Sequence, residues 1–156
     1  MKVTFAPKGI LQIDDARIIF RNFAGRGSSY NREGDRDFSV VIDDEDIAEA
    51  LEKEGWNVKR KPPRNEGDDE FIFLKCKVKF NDYGPRIFVV SGDNRVELDE
   101  ESASQLDSID ILTCNMDIRP YDWDVNGKQG KTAYLQAIEV YQNVSRFERK
   151  REEVDY

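Results

Sequence analysis

The chemistry this sequence offers is that of cations set among aromatic rings. From Gly55 to Arg64 the chain reads GWNVKRKPPR, one large aromatic and four cations with no acid, in a protein with 24 Lys+Arg against 32 Asp+Glu. A ring gives an unpaired base a face to stack on, and a cationic run tracks phosphates, which together suit a single strand of nucleic acid. The plain alternative is a solvated loop whose Trp56 tucks into a core, because charge runs commonly just keep loops wet. The same combination recurs in RNFAGRGSSYNREGDR (Arg21–Arg36), with four Arg, Phe23 and Tyr30. Arginine pairs with phosphate and also stacks on bases, so Arg21, Arg26 and Arg32 are candidate contacts beside Tyr30. A third run is RPYDWDVNGKQGK (Arg119–Lys131). Its Tyr121 and Trp123 alternate toward one side, and Lys128 and Lys131 return on the next strand. The alternative there is a hairpin whose aromatics cover a barrel mouth.

Lys75, Lys77 and Lys79 are the most geometric feature. Alternate residues of a strand share a face, which places these ammonium groups roughly 7 Å apart, near the spacing of phosphates on an extended strand. Lysines on an exposed face also protect sheet edges, which is the competing explanation. The global charge of −8 weakens a purely electrostatic binder, but the cations concentrate early. Residues 1–80 hold 15 Lys+Arg and 16 Asp+Glu, whereas 81–156 hold 9 and 16, so a local patch can form against the overall sign.

Catalysis finds little support. The chain has no His, which excludes Ser-His and Cys-His triads and His-containing zinc sites. Asp107, Asp110, Asp117, Asp122 and Asp124 have no diagnostic metal-ligand spacing, and no phosphate loop of the GxxxxGK[ST] type occurs. Neither an enzyme, nor a cofactor, nor a metal is expected. Cys76 and Cys114 lie in strand-like runs without CxxC spacing and read as buried free thiols. No apolar stretch approaches the roughly 20 residues of a membrane span, and MKVTFAPKG has no apolar run of the kind a signal peptide needs.

The elements that must position these residues are mostly strands. Period-two alternation marks Gly9–Phe20, Asp37–Ile42, Ile72–Phe80, Arg86–Val90, Ile109–Arg119 and Thr132–Tyr141. Ile18 and Phe20 are expected on one face. So are Ile72, Leu74, Cys76, Val78 and Phe80, and likewise Leu112, Cys114, Met116 and Ile118. An acid-capped helix is expected from Asp43 or Asp44 to Glu54, stopped by Gly55, with Ile47, Ala50 and Leu51 as its apolar stripe. A shorter helix spans Glu100–Leu106. The fold class is therefore mainly β, a small antiparallel OB-like barrel with one or two short helices. In that scheme Asn22–Lys61 is an enlarged first loop with its own strand and helix, and Ile72–Phe80, Arg86–Val90, Ile109–Arg119 and Thr132–Tyr141 are four successive strands. Residues 1–145 form one nucleic-acid-binding domain, and 146–156 a charged C-terminal tail.

The stretch ARIIFRNFAG (Ala16–Gly25), the F-x-V-x-I strand with its acidic helix, GWNVK (Gly55–Lys59) and RPYDW (Arg119–Trp123) resemble a family of phage-encoded OB-fold single-stranded-DNA-binding proteins. The resemblance covers most of residues 10–142. It implies sequence-independent coating of single strands in replication or recombination, within the host cytoplasm, without a catalytic site. Many such proteins end in an acidic tail with a terminal aromatic that recruits partners. Here EEVDY (Glu152–Tyr156) follows directly on basic RFERKR, which departs from that pattern.

The residues expected to neutralise phosphates are Arg21, Arg26, Arg32, Lys59, Arg60, Lys75, Lys77, Lys79 and Lys131. Tyr30, Trp56, Tyr121 and Trp123 are expected to stack bases. Between core anchor and platform, Trp56 is read as the platform, at the head of a semi-rigid finger closed by Pro62–Pro63. Single-stranded DNA is the expected partner, with replication or recombination proteins and a second copy of the chain as further ones. The rival reading is a non-enzymatic protein-interaction module, a small phage protein on a host target, with the acidic second half as its working surface.

Overall fold

Alternating apolar residues dictate most of the chain, and strands dominate the computed structural model, which describes residues 1–144. The strands are β1 (Lys2–Phe5), β2 (Leu11–Ala16), β3 (Ile18–Asn22), β4 (Arg36–Val41), β5 (Val58–Lys61) and β6 (Phe71–Val78). They continue with β7 (Arg86–Ser91), β8 (Asn94–Leu98), β9 (Ile111–Val125) and β10 (Lys128–Gln142). Among the described residues there is one α-helix, α1 (Glu45–Lys53), and a 3₁₀ turn at Ala103–Asp107 occupies the place of the expected second helix. The charged tail from Arg146 lies outside the described residues. No helix among them is long and apolar enough to cross a membrane.

The strands join in the order β1-β2-β9-β10-β6-β4-β3, with β5 on β6 and the β7–β8 hairpin on β10. Only Arg17 separates β2 from β3. β9 and β10 form a long antiparallel hairpin closed at Asn126-Gly127, both with positive φ, the preference of a tight two-residue turn. The β10–β6 and β10–β7 pairings are parallel.

The sheet connectivity differs from the expectation in two places. β4, the strand expected inside the enlarged loop, is a member of the main sheet. It pairs with β3 on one side and β6 on the other, so both its edges are hydrogen-bonded, and Phe38, Ser39 and Val40 are all buried. Arg86–Val90 accordingly does not follow β6 around the sheet but pairs with the far half of β10. Nor does Val58–Lys61 project as a finger, because its backbone pairs with β6 from Leu74 to Phe71.

The core unites Leu11, Ile13, Leu74, Cys76, Met116, Ile118, Leu135 and Ile138 with Phe23 and Phe38, whose rings stack at 5.2 Å. Asp44 caps α1 by accepting from the Asp46 N–H at 2.8 Å, and Gly55 stops it at φ 96°. Ala48 and Leu51 are the buried helix residues, with Ile47 packed at the margin. Burial pushes the Cys76 thiol up and that of Cys114 to about 12, so both stay protonated and inert at neutral pH.

Two residues leave the face that alternation assigns them and point outward, each at a bulge. β3 and β4 lose register between Ile19 and Asn22, and there Phe20 adopts φ 52° and is 60% exposed. On β9, Thr113 pairs with Tyr141 and Ile111 with Gln142, which leaves Leu112 as the extra residue and turns it to solvent. A bulge inverts the facing that strict alternation would assign.

Candidate nucleic-acid interface

With Ile72, Leu74, Cys76 and Val78 buried, alternation turns Lys75, Lys77 and Lys79 outward, and all three are exposed. Asp37 of β4 stands opposite Lys77 and lies 3.7 Å from the Lys75 ammonium. On the other side of β6, Tyr134 of β10 pairs in register with Lys77. Tyr134 in turn faces Arg119 of β9, whose guanidinium sits 4.8 Å from the tyrosine ring centroid. The Tyr121 ring meets Tyr134 edge-on at 6.2 Å. Across three strands the outward surface thus runs cation, aromatic, cation, aromatic.

Trp123 extends this row toward the hairpin tip. It pairs with Gly130, where a Cβ would fall 2.5 Å from the indole, so glycine is what lets the ring lie across the neighbouring strand.

The Arg21–Arg36 stretch contributes from above. Its loop is a hydrogen-bonded structure rather than a slack hairpin. The Asn31 side-chain amide donates to the carbonyls of Arg26, Arg32 and Asp35 at 2.8, 3.2 and 3.0 Å, and the Gly34 N–H donates to Gly25 at 2.8 Å. Tyr30 is 98% exposed at its tip. A groove of about 580 Å³ lies between loop and sheet, lined by Tyr30, Arg32, Lys75, Lys77, Lys79 and Tyr134 among others. Arg26 is exposed on the same loop, outside this lining.

Four expected contacts belong elsewhere. Trp56 is 3% exposed and sits in the core, not on a platform. Its backbone bridges Lys131 near the start of β10, and its backbone N–H donates to the Leu51 carbonyl, which folds the ring inward after α1. Lys131 pairs with Asp122, the side of the hairpin opposite Tyr121 and Trp123, and its ammonium lies 5.5 Å from the Trp56 ring. It caps the core and faces away from the outward row. Arg60 is bound by Glu45, Glu52 and Glu70 at 2.8, 2.6 and 3.2 Å, so its charge is already matched. Its hydrogen bond holds the Glu52 carboxyl below the ordinary range. Arg21 donates to the carbonyls of Leu106 and Ile109 at 2.7 and 2.8 Å and fastens the 3₁₀ turn to β3. Lys59 remains exposed, on the outward face opposite Phe73.

Sequence reasoning missed Tyr134 and Arg119 as members of this candidate surface. A signal existed for Tyr134, because Ala133 and Leu135 are apolar neighbours and alternation turns the residue between them outward. What could not be read was that β10 lies beside β6. The carboxylates do not gather: Asp107 accepts from the Phe23 and Ala24 N–H groups at 2.7 and 3.0 Å, and Asp110 accepts from Asn143. Among the described residues no group of three or more His, Cys, Asp or Glu could hold a metal ion.

The fold is similar to that of solved single-stranded DNA-binding proteins from bacteriophage Enc34. The structure in complex with ssDNA matches at TM-score 0.59 and 10% identity over 92% of each chain. A C-terminal truncation matches at 0.57 and 12% identity over 90% of each, and another structure of that protein at 0.57 and 9% identity over 93% of this chain and 92% of the other. At such identity the likeness is one of fold. No curated protein sequence matches. A family model described as "Putative phage ssDNA-binding domain" matches residues 2–156, nearly the whole chain, and the protein therefore belongs to the phage single-stranded-DNA-binding domain family.

Proposed function

We propose that this protein coats single-stranded DNA without sequence preference and without catalysis, through the outward face of β6, β10 and β9. The observation that carries the proposal is Tyr134 in register with Lys77, between the lysine row and the Arg119–Tyr121 pair. Lys75, Lys77, Lys79, Arg32 and Arg26 neutralise phosphates; Tyr134, Tyr121, Trp123 and Tyr30 offer faces to bases. Stacking on aromatic faces and charge on phosphates read no base edge, so binding of this kind tolerates any sequence. The structure of the Enc34 protein in complex with ssDNA supports the reading by likeness of fold.

The architecture we infer is an OB-like barrel. Taken as one bent strand, β2 and β3 stand at both ends of the order β2-β9-β10-β6-β4-β3, which brings the sheet back to its start. The Arg21–Arg36 loop and the β9–β10 hairpin then flank the binding face, where OB-folds hold single strands. Residues 1–145 form the binding domain and 146–156 a separate charged tail. The protein serves phage replication or recombination in the host cytoplasm.

The test is a titration of the whole chain with oligo-dT and with a duplex of equal length, at several salt concentrations. Trp56 is buried, so quenching of intrinsic fluorescence reports Trp123. The single strand is expected to bind tighter, with affinity falling steeply as salt rises. Equal affinity for the duplex, or no binding at low salt, overturns the proposal and favours the protein-interaction module.

A further inference from the structure

The outward row of β6 does not stop at Lys75. Phe73 and Phe71 precede it on the same face, their ring centroids 5.3 Å apart. Phe20 closes over them edge-on, at 6.0 Å from Phe73 and 6.4 Å from Phe71. Phe20 is the residue at the β3 bulge, exposed and at φ 52°, a region that residues with a Cβ populate sparsely. Such backbone strain gathers where a side chain is aimed for a purpose, and burial does not explain this one, because most of the ring meets water. Lys61 pairs with Phe71, and its ammonium lies 5.6 Å from the Phe73 ring and 5.9 Å from that of Phe20. Lys59 pairs with Phe73.

We propose that Phe20, Phe71 and Phe73 form a second stacking station, with Lys59 and Lys61 on the adjoining phosphates, so that one strand runs from this cluster along β6 to Tyr134. The inference rests on the single-strand reading above and extends it. Phe73 and Lys77 are four residues apart on one strand, roughly 13 Å, so the two stations lie within one short length of extended DNA. Charge favours nucleic acid as the occupant: the cluster is bordered by Lys59, Lys61 and Lys75, while nearby Glu70 is already engaged by Arg60 at 3.2 Å. An exposed apolar patch rimmed by cations and continuous with the lysine row matches bases flanked by phosphates.

Phe20→Ala tests the proposal against two oligo-dT strands, one of about 4 and one of about 16 nucleotides, the limits of what a single OB-fold covers. The longer strand should bind the variant roughly 5- to 140-fold more weakly, the effect of one lost stacking partner. With phosphates spaced as the lysines are, the shorter strand also reaches from Phe73 to Lys77, so it too should bind the variant more weakly. Because the ring is mostly exposed, the melting temperature should hold. Lys61→Gln should weaken both lengths in the same way with a smaller loss. A folded Phe20→Ala variant that binds both lengths as the parent does overturns the proposal. So does one that binds DNA normally but sediments as a smaller species, which would make the cluster a contact between protein chains. If the parent protein binds neither length, the single-strand reading itself fails, and that result is distinct from a defect confined to the variant.

Discussion

Replacing Lys75, Lys77 and Lys79 with glutamine should flatten the salt dependence of single-strand binding by an amount the structure sets. Each phosphate neutralised on a single strand contributes about 0.7 to the slope of log affinity against log salt. Among the described residues Lys77 and Lys79 have no carboxylate within ion-pair distance, whereas Lys75 lies 3.7 Å from Asp37 and counts for less. Two full contacts lower the slope by about 1.4, and three by about 2.1. Between about 50 and 200 mM salt, the parent should therefore lose roughly 7- to 18-fold more affinity than the triple variant. The three side chains are exposed, so stability should move by no more than about 0.5 kcal/mol per site. The assay is fluorescence anisotropy of a labelled oligo-dT at four or more salt concentrations, beside a thermal melt. A folded variant that keeps the parental slope would mean that these lysines contact no phosphate and merely keep an outer face soluble.

Two further outcomes follow from groups the structure removes from the interface. Trp56→Ala should cost about 3–5 kcal/mol as a buried large-to-small change. At about 2–4 °C per kcal/mol for a chain of this size, that lowers the melting temperature by roughly 6–20 °C while affinity per folded molecule stays unchanged. A normal melt with weakened binding would return Trp56 to the site. The second outcome concerns acid. Hydrogen bonds from Arg60 and Arg86 hold the carboxyls of Glu52 and Glu97 below their ordinary value of 4.5. Lowered folded values mean that the stabilisation is complete above the unfolded pKa and is lost as pH falls through the folded one. Melting temperature should thus hold above about pH 5 and decline below it. Arg60→Gln should lower the plateau and soften the decline; superimposable pH curves for parent and variant would show that the Arg60 cluster adds nothing.

The strands and helix were legible because their signals are local. Five apolar residues alternate along Ile72–Phe80, and four of them are buried; Asp44 and Gly55 bracket α1 by capping and by φ. Bulges were not legible, since one inserted residue leaves the period-two pattern intact on either side while inverting it between. That is why Phe20 and Leu112 leave the face that alternation gives them. Nor was the place of β4, which depends on which distant strands flank it.

The site divides along the same line. Alternation alone exposes Lys75, Lys77 and Lys79, and it also sends Tyr121 and Trp123 to one side; these readings needed no partner strand. An arginine in a basic run carries no mark of whether its charge is free. Arg60 is matched by Glu45, Glu52 and Glu70, two of them on α1, and Arg21 by backbone carbonyls some 85 residues away. A density of cations in sequence therefore overstates what is offered to phosphate. Trp56 fails for a related reason, because the core it enters is completed by Lys131 from the far end of the chain. Tyr134 errs in the other direction: it looks like an ordinary strand residue until β10 is laid beside β6, and then it joins the lysine row to the tyrosine and arginine of β9. Cationic and aromatic residues far apart in an acidic chain become one surface only through this parallel pairing.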